Sequence, residues 1–381
     1  MTDGQAGITW AQRGMPLLAE AMQEVGPVLT SRRLAVCLHL EPKTAVLLSM
    51  LAEYGVQVTA TGSPGSTDDE VVNELKDRGI TVFGRRSDDE KKHLRNIEQV
   101  LSSDPDLLLD NGADLVVRLL QGGGSTKVLG GTEETTSGAS RLRQATITPP
   151  FPIVVINDSP LKLLVENEYG VGHSVVQGFL NATNLMVSGT RMAVFGYGPC
   201  GQGVADTLHS LGARVSVIEP DPYRALKACL RGLRVGSPAE VLGDAAVIFL
   251  ATGQAGVCGP AELALTADGA IVVGVGHLPV ELDHAALAAI TDRSEQLGRG
   301  TADRTLHRLA DGRVIVVLEH SRMINLTAAG GNPIQAMDLG LTLQARSLSA
   351  IATGRVAQAI QPVPEDIDRA VATRLAELLT H

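Results

Sequence analysis

Cysteine is scarce. Four residues, Cys37, Cys200, Cys229 and Cys258, are scattered along 381 positions and form no CxxC pair. That spacing excludes a zinc ribbon and a disulfide framework, so no metal is expected and a reduced, cytoplasmic setting is. Aromatic residues make up only 3%, which leaves the core to Ala, Val, Leu and Ile. Basic residues (32) are outnumbered by acidic ones (42), for a net charge of −10. No basic stripe is left to track a phosphate backbone, which excludes nucleic acid as a partner. No apolar run reaches the length of a membrane span, and the first residues are polar, so neither a membrane nor a secretory signal is expected.

What is present is a regular alternation. Apolar runs at Leu34–Leu38, Gln57–Ala60, Thr81–Phe83, Asp106–Leu109 and Ile153–Ile156 predict strands. Amphipathic stretches at Thr44–Tyr54, Asp68–Lys76 and Asp89–Leu101 predict the intervening helices. This is the pattern of a parallel sheet covered on both faces. Gly122 to Thr126 reads as a connection. A second set of runs, Val215–Ile218, Ala246–Leu250, Ala270–Val273 and Val314–Leu318, predicts another such unit. Helix-compatible stretches from Pro160 to Val187 and from Pro333 to Ile351 lead into and out of it, as hinges would. The fold class is therefore α/β, with two doubly wound parallel-sheet domains, one inserted in the other. The boundaries read as 1–184 with 333–360 for the outer domain and 185–332 for the inserted one. Residues 361–381 read as a terminal helix.

The inserted domain opens on a fingerprint. Met192-Ala193-Val194-Phe195 runs straight into Gly196-Tyr197-Gly198-Pro199-Cys200-Gly201. Gly196 permits a tight turn, Gly198 a close approach of backbone to a pyrophosphate, and Gly201 close helix–strand packing. The helix that follows points its N-terminus at the phosphates. Pro199, Cys200 and Arg224 belong to the same cofactor site. Glu219 closes the next strand, where a carboxylate accepts from a ribose diol and repels a 2′-phosphate. The expected cofactor is NAD.

Polar residues also end several other apolar runs, where open α/β sheets bind ligands. They include His39, Asp110-Asn111, Glu133-Glu134-Thr135-Thr136-Ser137, Asn157, Lys162, Glu166-Asn167, Gly276-His277, Asn325 and Asn332. Each has an ordinary structural reading. Lys162 and Glu166 at i,i+4 could be a solvated helix pair, and the Thr135 run could be a helix cap with a capping box.

Taken together, these stretches resemble the S-adenosylhomocysteine hydrolase (adenosylhomocysteinase) family. The likeness rests on Cys37-Leu38-His39, Glu133 to Gly138, Ile156 to Ser159 with Lys162 and Asn167, the fingerprint, Thr252-Gly253, Gly276-His277 and Asn325. The resemblance implies that tightly held NAD⁺ oxidises a nucleoside 3′-hydroxyl. Loss of the C4′ proton then expels the C5′ substituent, water adds, and the ketone is reduced again. It implies that Lys162, with its pKa depressed, takes the 3′-hydroxyl proton. Glu166 stands where the family has an Asp that pairs with this Lys. Glu134 holds the ribose hydroxyls, His277 contacts the 3′ position, Asn157 supports the Lys and nicotinamide, and His39 handles protons at C5′. Thr135, Thr136, Ser137, Asn167, Thr252, Gly253, Gly276 and Asn325 bind the cofactor. Thr44 and Asp110 are placed at the substrate.

The departures from the family pattern cluster. Asn111 replaces a catalytic Asp near C5′. Glu41 replaces a Thr, and Lys43 a Gln or Glu that reads the purine. Asn332 replaces a His at the base edge, and Val171 a Cys near the nicotinamide. The tail that reaches a neighbouring subunit's NAD has no counterpart after Ile360. These changes point to a hydro-lyase on a modified adenine nucleoside, as in nucleoside-antibiotic biosynthesis. The alternative is a true adenosylhomocysteinase, and a third reading is an NAD-binding, non-catalytic homologue. A homodimer or homotetramer is expected.

Overall fold

The computed structural model describes residues 2–122, 127–297 and 302–380. The chain forms two compact units, Met1–Leu163 with Ile334–His381, and Leu164–Pro333. Among the described residues no helix is long and apolar enough to cross a membrane.

The first unit holds a wholly parallel seven-stranded sheet. Its strands lie in the order Ile360–Pro362, Ile153–Val155, Gly130–Glu133, Leu107–Asp110, Arg33–Leu38, Gln57–Gly62 and Thr81–Val82. The chain winds in opposite directions on either side of the Arg33–Leu38/Leu107–Asp110 pair. That switch point leaves a crevice beyond the strand ends. Helices Pro42–Glu53, Asp69–Asp77, Glu90–Leu101 and Ile334–Ala352 begin and end close to the expected bounds. The core beside the sheet is aliphatic, with Ala35, Ile97, Val100, Leu108, Leu115 and Ile153 almost fully buried.

The second unit holds an eight-stranded sheet in the order Thr291–Gln296, Arg304–Leu309, Val314–Leu318, Ala270–Gly274, Val247–Leu250, Arg191–Phe195, Arg214–Ile218 and Arg234–Val235. Its switch point lies between Arg191–Phe195 and Val247–Leu250. The sheet is mixed rather than wholly parallel. The first three strands pair antiparallel, and a hairpin of polar sequence forms that edge. Thr291–Gln296 is an exposed run with no apolar stripe, so hydropathy gives no sign of it.

Two boundaries differ from expectation. The helix Val171–Thr183 packs on the fingerprint helix Pro199–Ser210, with Gly172 against the Gly203 carbonyl, so the second unit begins at Leu164 rather than after 184. The terminal helix Glu365–Thr380 belongs to the first unit, anchored by Ile367, Val371 and Leu375. The expected long helix from Pro160 is also irregular. It passes through a π-helical stretch, Leu163–Gly170, before becoming α-helical. Such stretches recur at functional sites. Of the Gly122–Thr126 connection, residues 123–126 lie outside the described residues.

Candidate active site and dinucleotide cleft

The first unit gathers its polar groups at its switch point. His39 follows the strand Arg33–Leu38, and its Nδ1 lies 2.6 Å from Ser66 Oγ. Ser66 donates its only hydroxyl proton to the Ser63 carbonyl at 3.2 Å. Glu41 caps the helix Pro42–Glu53 by accepting from the Lys43 and Thr44 amides. Lys43 Nζ closes on the same carboxylate at 2.7 Å, with both side chains at most 10% exposed. Two expected ligand residues are thus each other's counterions.

Glu133 and Glu134 divide their work. Glu133 is fully buried and accepts from the amides of Gly112, Ala113 and Thr135 and from the Thr135 hydroxyl. Burial pushes it up to about 7. Glu134 faces the reactive groups, with Oε1 3.6 Å from Lys162 Nζ and Oε2 accepting from Asn111 Nδ2 at 3.2 Å. Lys162 is 2% exposed. Asn111 Oδ1 is buried and has no hydrogen-bond partner among the described residues. Asn157 Nδ2 donates to Thr136 Oγ1 at 2.7 Å, which leaves the threonine hydroxyl proton for another acceptor.

Three expected ligand residues also hold the backbone. Asp110 is completely buried, and its two oxygens accept from the Asn111 and Val116 amides. Burial and the nearby Glu133 charge push its carboxyl well up. Thr44 completes the capping box with Glu41 and holds the His39 carbonyl at 2.7 Å. Thr135 caps the helix Thr136–Gln144. Thr44 and Thr135 lie at helix starts and Asp110 ends the strand before one, where backbone amides compete for short polar side chains. Cys37, His93 and Asp114 also bring candidate metal-ligand atoms within 4.8 Å. Asp114, however, already meets His93 at 3.0 Å and Arg141 at 2.6 Å. Burial raises Asp114, yet those two bonds bring its carboxyl below the usual range.

The second unit forms a cleft of about 440 Å³ lined by Gly196, Gly198, Glu219, Arg224, Thr252 and Gln254, among others. Gly196 has φ +87°, and a Cβ on Gly201 would lie 2.2 Å from the Gly196 carbonyl oxygen, so neither position accepts a side chain. The helix Pro199–Ser210 starts directly after these glycines and carries Cys200 in its first turn. Glu219 accepts from the Tyr197 and Asp221 amides at 2.6 and 2.9 Å, which fixes its rotamer. Its remaining lone pairs can take a diol. Arg224 Nη1 would be the atom nearest a Cβ on Gly198, at 3.9 Å, suitably placed for a phosphate. Gly253, at φ +68°, follows Thr252. His277 is half-buried beside Gly276.

A partly buried amide network lies within the same unit. Asn332 Oδ1 accepts from Ser174 Oγ at 2.9 Å and Asn325 Nδ2 at 3.3 Å, and its Nδ2 donates to Glu166 Oε1 at 3.3 Å. Asn332 is therefore held by protein groups. Asn325 Oδ1 is left buried with no partner among the described residues, an acceptor suited to a carboxamide. Asn167 is also buried. A dinucleotide fits this set: glycine turn, diol acceptor, cation and orphaned amide oxygen.

Sequence reasoning missed Ser66, Ser174 and Glu281. Glu281 is 3% exposed and accepts from both the amide and the hydroxyl of Thr252 at 2.7 Å, which sets the cleft wall. Ser66 and Ser174 lie in segments with no motif. Glu281 ends the sequence Gly276-His277-Leu278-Pro279-Val280, and its distance from Thr252 hides the pairing.

Residues 1–129 match the profile of S-adenosyl-L-homocysteine hydrolase, and residues 167–331 match that of the S-adenosyl-L-homocysteine hydrolase NAD binding domain. The chain is 35% identical to the S-inosyl-L-homocysteine hydrolase of Methanopyrus kandleri, over 97% of this chain and 89% of the relative. It is 36% identical to the adenosylhomocysteinase of Aeropyrum pernix, over 97% and 90%, and 37% identical to that of Aquifex aeolicus, over 97% and 90%. In fold it resembles a dipicolinate synthase chain from Bacillus halodurans, with a TM-score of 0.52 and 13% identity over 84% of this chain and 99% of that one. With the fingerprint cleft and the Lys162–Glu134–Asn111 cluster in view, these likenesses put the chain in the S-adenosyl-L-homocysteine hydrolase family, as an enzyme whose cofactor is NAD.

Proposed function

We propose that this enzyme hydrolyses the thioether of an S-nucleosyl-L-homocysteine through transient oxidation of the 3′ carbon. The observation that carries the reading is the buried Lys162 amino group 3.6 Å from Glu134, beyond the strand ends of the first unit. The three sequence relatives named above are all hydrolases by name, so the hydrolytic reading takes precedence over the hydro-lyase expected from the departures. NAD⁺, which Gly196, Gly198, Glu219 and Arg224 would hold, would supply reversible two-electron oxidation of the 3′ carbon. Lys162 Nζ takes the proton of the 3′-hydroxyl, while Glu134 accepts hydrogen bonds from the ribose diol and balances the Lys162 charge. His39, held at Nδ1 by Ser66, moves a proton at C5′. Asn157 and Thr136 support the Lys162 side, and His277 contacts the 3′ position. Glu41 and Lys43 present one acceptor and one donor to a purine edge. Adenine and hypoxanthine both offer a complementary pair, so S-adenosyl- and S-inosyl-homocysteine are both candidate substrates.

A second reading has its own support. Asn111 Oδ1 is an orphaned buried acceptor. It suits a hydroxyl donor, such as a free 5′-hydroxyl, and a thioether sulfur has no proton to give it. A hydro-lyase on a nucleoside would use it in that way.

The deciding experiment is mass spectrometry of NAD-loaded enzyme incubated with S-adenosyl-homocysteine, S-inosyl-homocysteine or nucleosides bearing a 5′-hydroxyl. Homocysteine release supports the hydrolase. A product lighter by one water, without homocysteine release from either thioether, refutes it in favour of the hydro-lyase.

A further inference from the structure

Lys162 does not hold its own position. It sits in the first turn of a helix that begins at Pro160, and Ser159 is the residue before that turn. Ser159 is completely buried, and its hydroxyl oxygen accepts from the Lys162 amide at 3.0 Å. The same hydroxyl makes a close hydrogen bond to Asp368 Oδ1. A serine has one hydroxyl proton. An ionised Asp368 can only accept, so it takes that proton and turns the serine lone pairs toward Lys162. Asp368 lies on the terminal helix Glu365–Thr380, more than two hundred residues away in sequence. That helix is fixed by buried Ile367, Val371 and Leu375 and by a bidentate Arg374–Glu20 pair at 2.8 Å.

We propose that Asp368 is a positioning residue for Lys162, acting through Ser159. The terminal helix then braces the catalytic lysine, and the charge-assisted Asp368–Ser159 bond sets the cap that aims Nζ at Glu134. The inference rests on the reading of Lys162 as the 3′ proton acceptor. Asp368 touches no reacting atom in this scheme, so its effect falls on the rate of 3′-oxidation and leaves binding alone.

The test measures reduction of bound cofactor after rapid mixing with adenosine or inosine, using whichever nucleoside the wild type oxidises. Asp368→Ala and Ser159→Ala are each expected to slow this step about 10- to 100-fold, the scale of a small misplacement of a reacting group. KM and NAD content stay within about twofold of wild type. Asp368→Asn, which keeps the acceptor oxygen, is expected to recover most of the rate. The double variant Asp368→Ala/Ser159→Ala is expected to be no slower than either single variant, because both cut one chain of contacts. Hydrogen exchange at the Lys162 amide is expected to speed up in both single variants. Wild-type rates in both alanine variants, or fully additive losses in the double, overturn the proposal. So does a loss confined to NAD content, with unchanged turnover per bound NAD. Lys162→Ala serves as the control. If it still oxidises the nucleoside, the reading of Lys162 itself has failed; if it is inert while Asp368→Ala is unaffected, only the positioning role has.

Discussion

Asn111→Asp tests the chemistry at the altered end of the site. Asn111 Nδ2 lies 3.2 Å from Glu134 Oε2, and the two residues are 3% and 8% exposed. The substitution replaces a donor by a second carboxyl at that spacing. Two full charges there repel by about 5 kcal/mol at an effective dielectric constant of 20. Lys162, 3.6 Å from the other Glu134 oxygen, offsets part of that repulsion. The remainder favours a proton on the introduced carboxyl into the neutral pH range, shared with Glu134 as a coupled pair. The variant therefore gains what the amide lacks, a group that can give and take a proton. General acid–base catalysis of this kind contributes roughly 10²- to 10⁴-fold, so even a poorly aligned carboxyl should change the products. The assay is a pH–rate profile of homocysteine release and of dehydrated nucleoside, followed by mass spectrometry for both proteins. The variant is expected to show a new ionisation near neutrality and, if the wild type releases dehydrated nucleoside, to shift product toward the water adduct. Superimposable profiles with an unchanged product ratio would refute the account of Asn111.

Lys43→Gln strands the buried Glu41 charge and is expected to destabilise the protein by about 3–5 kcal/mol in urea unfolding. Adding Glu41→Thr, which keeps a helix-capping hydroxyl, is expected to restore most of that loss; a double variant as unstable as the single contradicts the pairing. Glu219→Ser removes a charged acceptor worth about 1.5–3 kcal/mol. Calorimetry should show NAD affinity falling roughly tenfold or more while binding of NADP improves, and unchanged NADP binding would remove Glu219 from the discrimination. Asp338 accepts from the Leu17 and Leu18 amides, and burial pushes it up to about 7 from 3.8. Its folded pKa lies above its unfolded one, so its contribution is full below about pH 4 and is lost as pH rises through 7. That loss is on the order of 4 kcal/mol. Wild type should lose more stability than Asp338→Asn between pH 5 and 8, and parallel curves would refute the assignment.

The elements that hydropathy marks are the ones that were legible. Leu34–Leu38, a continuous apolar run, and Val215–Ile218, broken only by Ser216, are parallel strands, and both appear as expected. The strand Gly130–Glu133 is equally buried yet contains no apolar side chain, so its pattern is silent. The fingerprint was legible because each glycine answers a local steric demand. The split between Glu133 and Glu134 was only half legible, because it depends on which carboxylate faces the amides of Gly112 and Ala113, contacts about twenty residues away. The Asp368 contact was not legible at all, since no spacing rule links a terminal helix to the cap of a distant one. Asp110 and Thr44 look like ligands in sequence because the residues that cap helices are also the residues that bind substrates.

The departures from the family pattern have structural partners. Glu41 and Lys43 form one ion pair. Asn332 is held by Glu166, Ser174 and Asn325. Asn111 donates to Glu134. Independent drift at buried positions leaves unpaired charges and unsatisfied amides, because each change arrives without its partner and costs about 1–3 kcal/mol or more. A buried lysine in particular does not persist beside a threonine, and it does beside a glutamate. The changes at positions 41 and 43 therefore make sense only together, as one altered recognition element. Each unit also keeps a buried amide oxygen open, Asn111 Oδ1 in the first and Asn325 Oδ1 in the second, and both are acceptors. The pairing of Glu41 with Lys43 and the hold on Asn332 are internal, while Asn111 Oδ1 is open to a ligand that donates there.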